Sequence, residues 1–120
     1  VTAGYTYGSP PTASTCFYPA GPLEVSPQST ETELNWNDAK LYCMTLTANG
    51  ENDWYLPSRM ELLDMYAIQV DGDLSVGSPG SYHWSATEHT SRHAWYRRFS
   101  DGTENTGDKT YQTQVRCVRR

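Results

Sequence analysis

Apolar positions along the chain change period twice. Between residues 34 and 50, Trp36, Ala39, Cys43 and Leu46 recur at spacings of three and four, which predicts a helix with one buried stripe. Asn35 is its natural N-cap, Asp38 sits where the helix end is electropositive, and Leu34 can staple against Ala39. Asn49-Gly50 reads as the end of this segment. A second helix opens in Pro57-Ser58-Arg59-Met60-Glu61, where Ser58 and Glu61 have capping-box spacing. Leu62, Met65, Tyr66 and Gln69 line one side of it, and it should end before Asp71-Gly72. Residues 71–81, with three glycines and one proline, read as a flexible loop. From there the period is two, and 82–86, 93–100 and 112–119 read as strands, with Asp101-Gly102 as a hairpin signal. In the last strand Val115, Cys117 and Arg119 should share one face, with Arg116 and Val118 on the other. Two helices followed by an antiparallel sheet make this an α+β domain.

Residues 1–33 are punctuated by Ser9-Pro10-Pro11, Pro19, Gly21-Pro22 and Pro27. Tyr5 and Tyr7 alternate around Thr6 as in a brief edge strand. We take residues 1–8 as linker or edge strand and 9–120 as one domain, a size that suits a single core. The chain begins with Val1 and shows neither an apolar leader nor a long apolar run. A fragment of a longer protein, targeted by signals elsewhere in the parent, is the expectation.

Composition adds direction. Mean hydropathy is −0.71, and nine Tyr and four Trp stand against two Phe. Such aromatics can pack with one edge and meet water or a ligand with the other, which suits a β-rich secreted module. The net charge is −5, but the stretch from Arg92 onward holds seven basic residues against three acidic ones. An acidic chain argues against generic nucleic-acid binding. The basic stretch either attracts an anionic glycan or acidic protein patch, or is paired with acids on neighbouring strands. Cys16, Cys43 and Cys117 form no metal-type pair, so one disulfide plus one odd thiol is the simplest count. Spacing does not say which two pair.

Five linked stretches carry a resemblance. They are Leu34-Asn35-Trp36-Asn37-Asp38-Ala39-Lys40-Leu41-Tyr42-Cys43 with Asp53-Trp54-Tyr55-Leu56-Pro57-Ser58-Arg59-Met60-Glu61-Leu62, then Tyr82-His83-Trp84-Ser85-Ala86-Thr87-Glu88, Ala94-Trp95-Tyr96, Phe99-Ser100-Asp101-Gly102 and Val115-Arg116-Cys117-Val118-Arg119. Over 34–119 the chain resembles the family named after the C-terminal domain of the Legionella collagen-like protein. The resemblance implies a C-type-lectin-like fold, two helices on a small antiparallel sheet with long loops, shared with formylglycine-generating enzymes and intimin- and invasin-type tips. It also implies a Cys43–Cys117 disulfide and makes Trp54, Leu56, Trp84, Trp95 and Phe99 core. Residues 1–33 do not match the expected family start, and Cys16 has no evident partner. Arg97 stands where an apolar residue is expected. Either that strand edge is solvated or Arg97 is a partly buried anchor held by an acid.

Little in the chain points to catalysis. His89 and His93 are four apart but off any helix, so a zinc site with Glu88 lacks its geometry. Asp71-Gly72-Asp73 offers oxygens for a structural calcium ion yet lacks the longer ligand ladder. Trp36-Asn37-Asp38 has the letters of a calcium-dependent sugar motif but opens a helix. Glu61 and Asp64 are helix neighbours, and no nucleophile elbow or phosphate loop appears. No enzyme activity, resident metal or cofactor is expected. Binding through loops 71–81, 87–93 and 101–111 is the expectation, with Glu88, His89, Arg92, His93, Tyr96, Arg98 and Tyr111 as contacts. The partner would be a host-cell or neighbouring-cell glycan, sulfated ones included, or a protein receptor. The parent would be an outer-membrane-attached or fibrous adhesin of the bacterial surface, active in attachment and virulence. A capping or oligomerisation domain of a surface fibre, or a phage-fibre tip, is the rival reading.

Overall fold

The computed structural model describes residues 22–120. The Tyr5–Tyr7 strand, the boundary at residue 8 and Cys16 lie outside the described residues.

Both helices start where their caps stand. In α1 (Trp36–Thr45) the Asn35 side-chain oxygen accepts the Asp38 N–H at 2.9 Å, and Trp36, Ala39 and Cys43 are buried. The helix stops earlier than expected, with Leu46 as C-cap. Asn49-Gly50 instead forms a hairpin turn, across which Ala48 and Glu51 exchange backbone hydrogen bonds of 3.0 and 2.9 Å. The dipeptide's preference for tight two-residue turns outweighs its use as a helix stop. In α2 (Arg59–Val70) the capping box is complete: Ser58 accepts the Glu61 N–H, and the Glu61 carboxylate accepts the Ser58 N–H. Leu62, Met65 and Ile68 form the buried stripe. Ile68 takes the place assigned to Gln69, one residue back, and Tyr66 is half-buried.

The sheet is mixed, not purely antiparallel. β2 (Thr32–Leu34), β3 (Tyr82–Glu88), β4 (His93–Arg98), β5 (Glu104–Asp108) and β6 (Thr113–Val115) lie in the order β2-β6-β3-β4-β5. After β5 the chain passes the start of α1, where Trp36 N–H meets Lys109 O at 3.1 Å, and inserts between β2 and β3. That return makes β6 antiparallel to β2 and parallel to β3. A separate ribbon joins β1 (Glu24–Val25) to β7 (Val118–Arg119). The strand expected at 112–119 is therefore two, and simple alternation fails within it. Val115, Arg116, Cys117 and Val118 are all buried, because the segment runs between two apolar cores.

One core packs α1 against the sheet through Trp36, Ala39, Cys43, Trp54, Leu56, Trp84, Ala94, Val115 and Cys117. Its three indoles donate to carbonyls: Trp36 to Ser85 at 2.8 Å, Trp84 to Leu34 at 3.0 Å and Trp54 to Glu51 at 3.1 Å. Each buried ring thus keeps its polar edge satisfied. Cys43 and Cys117 are bonded inside this core, with Cα atoms 5.5 Å apart. The second core gathers Leu62, Met65 and Ile68 of α2 with Leu23, Val25, Leu74, Phe99 and Val118. Trp95 belongs to neither and is only half-buried. Ala94 fills the inward position of β4, while Trp95 faces the other side beneath the Arg59 guanidinium, 3.7 Å from the ring centroid. Arg97, on that same side by alternation, is the anchored alternative: it donates to Gly102 O at 2.7 Å and lies 3.3 Å from Glu104.

The β4–β5 hairpin turns at Asp101-Gly102 as expected. Gly102 has φ +77°, and an added Cβ would sit 2.7 Å from the Tyr66 ring, so backbone and packing both require glycine there. β5 is an edge strand. Arg98 N–H donates to Thr103 O and Lys109 N–H to Arg92 O, so by alternation the Thr106 amide points away from β4. The Asn105 side-chain oxygen caps that amide at 2.8 Å.

Candidate functional site

Glu31 and Arg116 are an ion pair at 3.0 Å with side chains almost wholly out of solvent. Arg116 also donates to Ser26 O at 2.7 Å and Ser75 O at 3.0 Å, and Glu31 accepts the Ser78 N–H at 2.9 Å. The third contact of Glu31 is His83, whose Nε2 lies 3.3 Å away, with Nδ1 3.3 Å from Ser81 O. Burial opposes the Glu31 charge, but His83 and Arg116 outweigh it and hold the carboxyl below its usual range. This node pins loop 71–81 to the body. The expected flexible binding loop is thereby clasped at Ser75 and Ser78.

A second cluster joins Tyr55, Glu61, Asp64 and Arg120. Tyr55 donates to Glu61 at 2.6 Å, and Arg120 contacts the same oxygen at 3.2 Å. Burial, aided by the Glu61 charge and opposed by Arg120, raises Asp64 to about 6. A carboxyl raised in the folded state binds its proton more tightly there than in the unfolded chain. Its stabilising share is therefore present at low pH and is lost as pH rises from about 4 through 6. Asp64→Asn should raise the urea midpoint at pH 7 and flatten its dependence on pH across that window.

The residues expected to bind ligand divide into groups. Turns 89–92 and 109–112 meet at one end of the sheet, whereas loop 71–81 meets the β4–β5 turn at the other, where Ser100 N–H donates to Pro79 O. At the first end Lys109 pairs with Glu88 at 2.7 Å and Arg92 with Asp108 at 3.2 Å. His89 sets its ring edge against Trp95, with centroids 5.0 Å apart, and His93 Nδ1 lies 3.0 Å from Thr90 Oγ1. His89 and His93 thus have different neighbours. Among the described residues no group of three or more His, Cys, Asp or Glu side chains is placed to hold a metal ion.

Tyr96 and Arg98 do come together, joined by Tyr82, which sequence reasoning placed only as a strand residue. Tyr82 stacks on Tyr96 with centroids 4.2 Å apart, and the Arg98 guanidinium lies 5.4 Å from the Tyr82 ring. Tyr111 is near enough to raise the Tyr96 hydroxyl, an effect smaller than that of burial. Arg98, Tyr82 and Tyr96 therefore follow one another along the sheet, and Tyr111 stands in the turn between β5 and β6. Gly107, opposite Ala94 on β5, leaves the space in which the Tyr96 ring lies, and any Cβ there would collide with it. Trp84 backs the row with its centroid 5.2 Å from that of Tyr96. Tyr82 and Tyr96 are half-buried, and Tyr111 is 56% exposed. The missed signal was the register, which puts Tyr82 opposite Arg98 and two pairs from Tyr96.

The basic side chains of the C-terminal stretch are matched. Each of the seven basic residues from Arg92 onward lies within ion-pair distance of a carboxylate, and Arg119 faces Glu24, Glu51 and Asp53 together. Arg92, Arg97 and Arg98 pair with Asp108, Glu104 and Asp101 of the same stretch, whereas Lys109, Arg116, Arg119 and Arg120 face acids from earlier in the chain. Arg98 is held by Asp101 through contacts of 2.6 and 3.1 Å, with Asp101 pulled far below its usual range by that bond. Among the described residues no helix is long and apolar enough to cross a membrane.

The family model described as Lcl C-terminal domain matches residues 13–119, beginning ahead of the motif-bearing stretch 34–119. No curated protein matches the chain.

Proposed function

The chain belongs to the Lcl C-terminal domain family, and from that premise we propose that it is the extracellular recognition domain of a surface protein, binding a glycan or protein receptor without catalysing a reaction. One observation carries the reading: Tyr82 and Tyr96 are stacked on the sheet and half-buried, with the largely exposed Tyr111 in the turn after β5. Rings held in place at low entropic cost, with an apolar body and a polar tip, are what recognition surfaces use. The buried disulfide supports an oxidising location outside the cytoplasm. Adhesion, invasin-like attachment and virulence are the finer parts of the same proposal.

The test is saturable binding of the purified domain to intact cells and to an array of neutral, sialylated and sulfated glycans, with and without calcium. Wild type should bind, and Tyr111→Ala should weaken binding while leaving the urea midpoint unchanged, since this side chain is largely exposed. Absence of saturable binding to either surface would overturn the reading. A second reading, a structural cap that assembles copies of a fibre, draws on Leu63, Ala67 and Val70, which lie exposed along one side of α2. Concentration-dependent association in sedimentation, lost in Leu63→Glu, would favour it.

A further inference from the structure

We propose that residues 13–21, which lie outside the described residues, are the cover of the outer face of α2, with Phe17 and Tyr18 seated on Leu63, Ala67 and Val70. The helix is apolar on two sides. Leu62, Met65 and Ile68 fill its inner side, while Leu63, Ala67 and Val70 follow one another along the opposite side, all exposed. A surface helix ordinarily turns polar residues outward, and a helix apolar on both sides is ordinarily covered on both. Packing aromatic rings on this strip takes apolar area of both partners out of water.

Three facts single out this segment as the occupant. The first is position. Leu23 and Val25 are buried among Leu62, Met65 and Ile68, so the chain ahead of them enters the domain beside α2. The second is content. No Asp, Glu, Lys, Arg or His stands before Glu24, and residues 13–21 hold the adjacent rings of Phe17 and Tyr18. Such a segment meets an apolar strip without a charge to desolvate. The third is membership and reach. The Lcl C-terminal domain family model begins at residue 13, so its extent includes these nine residues. Extended, they span at most about 30 Å, against about 11 Å along the helix from Leu63 to Val70. A second copy of the chain would have to be recruited to the same face from solution, whereas an attached segment is present at high effective concentration.

Cys16 supplies the probe, because the other two cysteines, Cys43 and Cys117, are bonded to each other. In the full chain, Leu63→Cys and Ala67→Cys each place a thiol on the outer face of α2, and Met44→Cys places one on the exposed side of α1 as the control. Each variant is treated with oxidised glutathione at low protein concentration, and the bonds are mapped by peptide mass. An intramolecular bond from Cys16 to the thiol at 63 or 67 should form about tenfold faster, or more, than one to the thiol at 44. Equal rates at the three positions, or no bond at 63 and 67, would overturn the proposal. Bonds joining the introduced thiols of two copies, with Cys16 left free, would overturn it in favour of a second copy on this face. Methyl spectra give a readout that needs no new thiol. Phe17→Ala removes a ring from the strip and should shift the Leu63 and Val70 methyl signals while leaving those of Leu41 on α1 in place. Unmoved Leu63 and Val70 signals would overturn the proposal as well. Neither readout involves a glycan or a receptor, so each outcome is independent of the recognition reading.

Discussion

Replacing Cys43 and Cys117 together by alanine, or reducing the bridge, should cost the domain about 4 kcal/mol of folding stability. The bridge closes a separation of 74 residues, and the chain-entropy argument gives about 4 kcal/mol for a loop of that size. Both cysteines are fully buried in the α1 core beside Trp36, Trp54 and Trp84. A serine pair should therefore be worse than an alanine pair, because two hydroxyls would be buried there. Against a total of about 5–15 kcal/mol for an ordinary domain, the loss leaves a marginal fold. Urea unfolding with and without reductant measures it. An unmoved midpoint would show that the two cores hold α1 and the C-terminal strands together unaided.

The second large effect is expected at Arg116. Arg116→Met leaves Glu31 buried without its arginine partner and should cost about 3–5 kcal/mol, the usual penalty for breaking a buried pair from one side. Ser26 O and Ser75 O lose a donor in the same step. Removing both charges, as in Glu31→Leu with Arg116→Met, should recover much of that loss, since a buried pair and an apolar replacement often come out nearly equal. The two midpoints, measured at one pH, separate these cases. Equal losses in the single and double variants would mean that the bonds to Ser26 and Ser75, and not charge matching, dominate. Glu31 is depressed in the folded state, so its stabilising share is complete above the ordinary carboxylate range and disappears as pH falls through the folded value. The acid limb of the stability profile should accordingly be shallower in Glu31→Gln.

The helices were legible because capping is local. Asn35 and Ser58 each satisfy amides within three residues, and no distant contact is needed to place them. The missing strands were illegible for the opposite reason. β5 reads Glu-Asn-Thr-Gly-Asp, which contains a single good strand former and exists because β4 offers it a partner. The same holds for Val115–Val118, where position between two cores overrides alternation. Trp95 was misplaced as core because a tryptophan inside a recurring motif looks architectural, whereas its burial depends on Arg59 from a distant helix turn. Of the candidate contacts, Tyr96, Arg98 and Tyr111 were named from the chain alone. Tyr82, the neighbour of Tyr96 and Arg98, was not, since only strand register joins it to them. The basic stretch gave the least transferable signal. Glu24, Glu31, Glu51, Asp53, Glu61 and Glu88 partner it from earlier in the chain, whereas Asp101, Glu104 and Asp108 do so from within the stretch.

The side-chain cap on Thr106 matters most when many copies are crowded together. An edge strand with outward amides invites another chain to add itself as the next strand, and each addition leaves a fresh edge for the one after. Asn105 occupies the amide at the middle of β5 with an oxygen of its own, so an incoming strand must first displace it. Dense packing on a surface would then leave the domains as separate units able to turn and engage, where an open edge would stitch them into an inert mat.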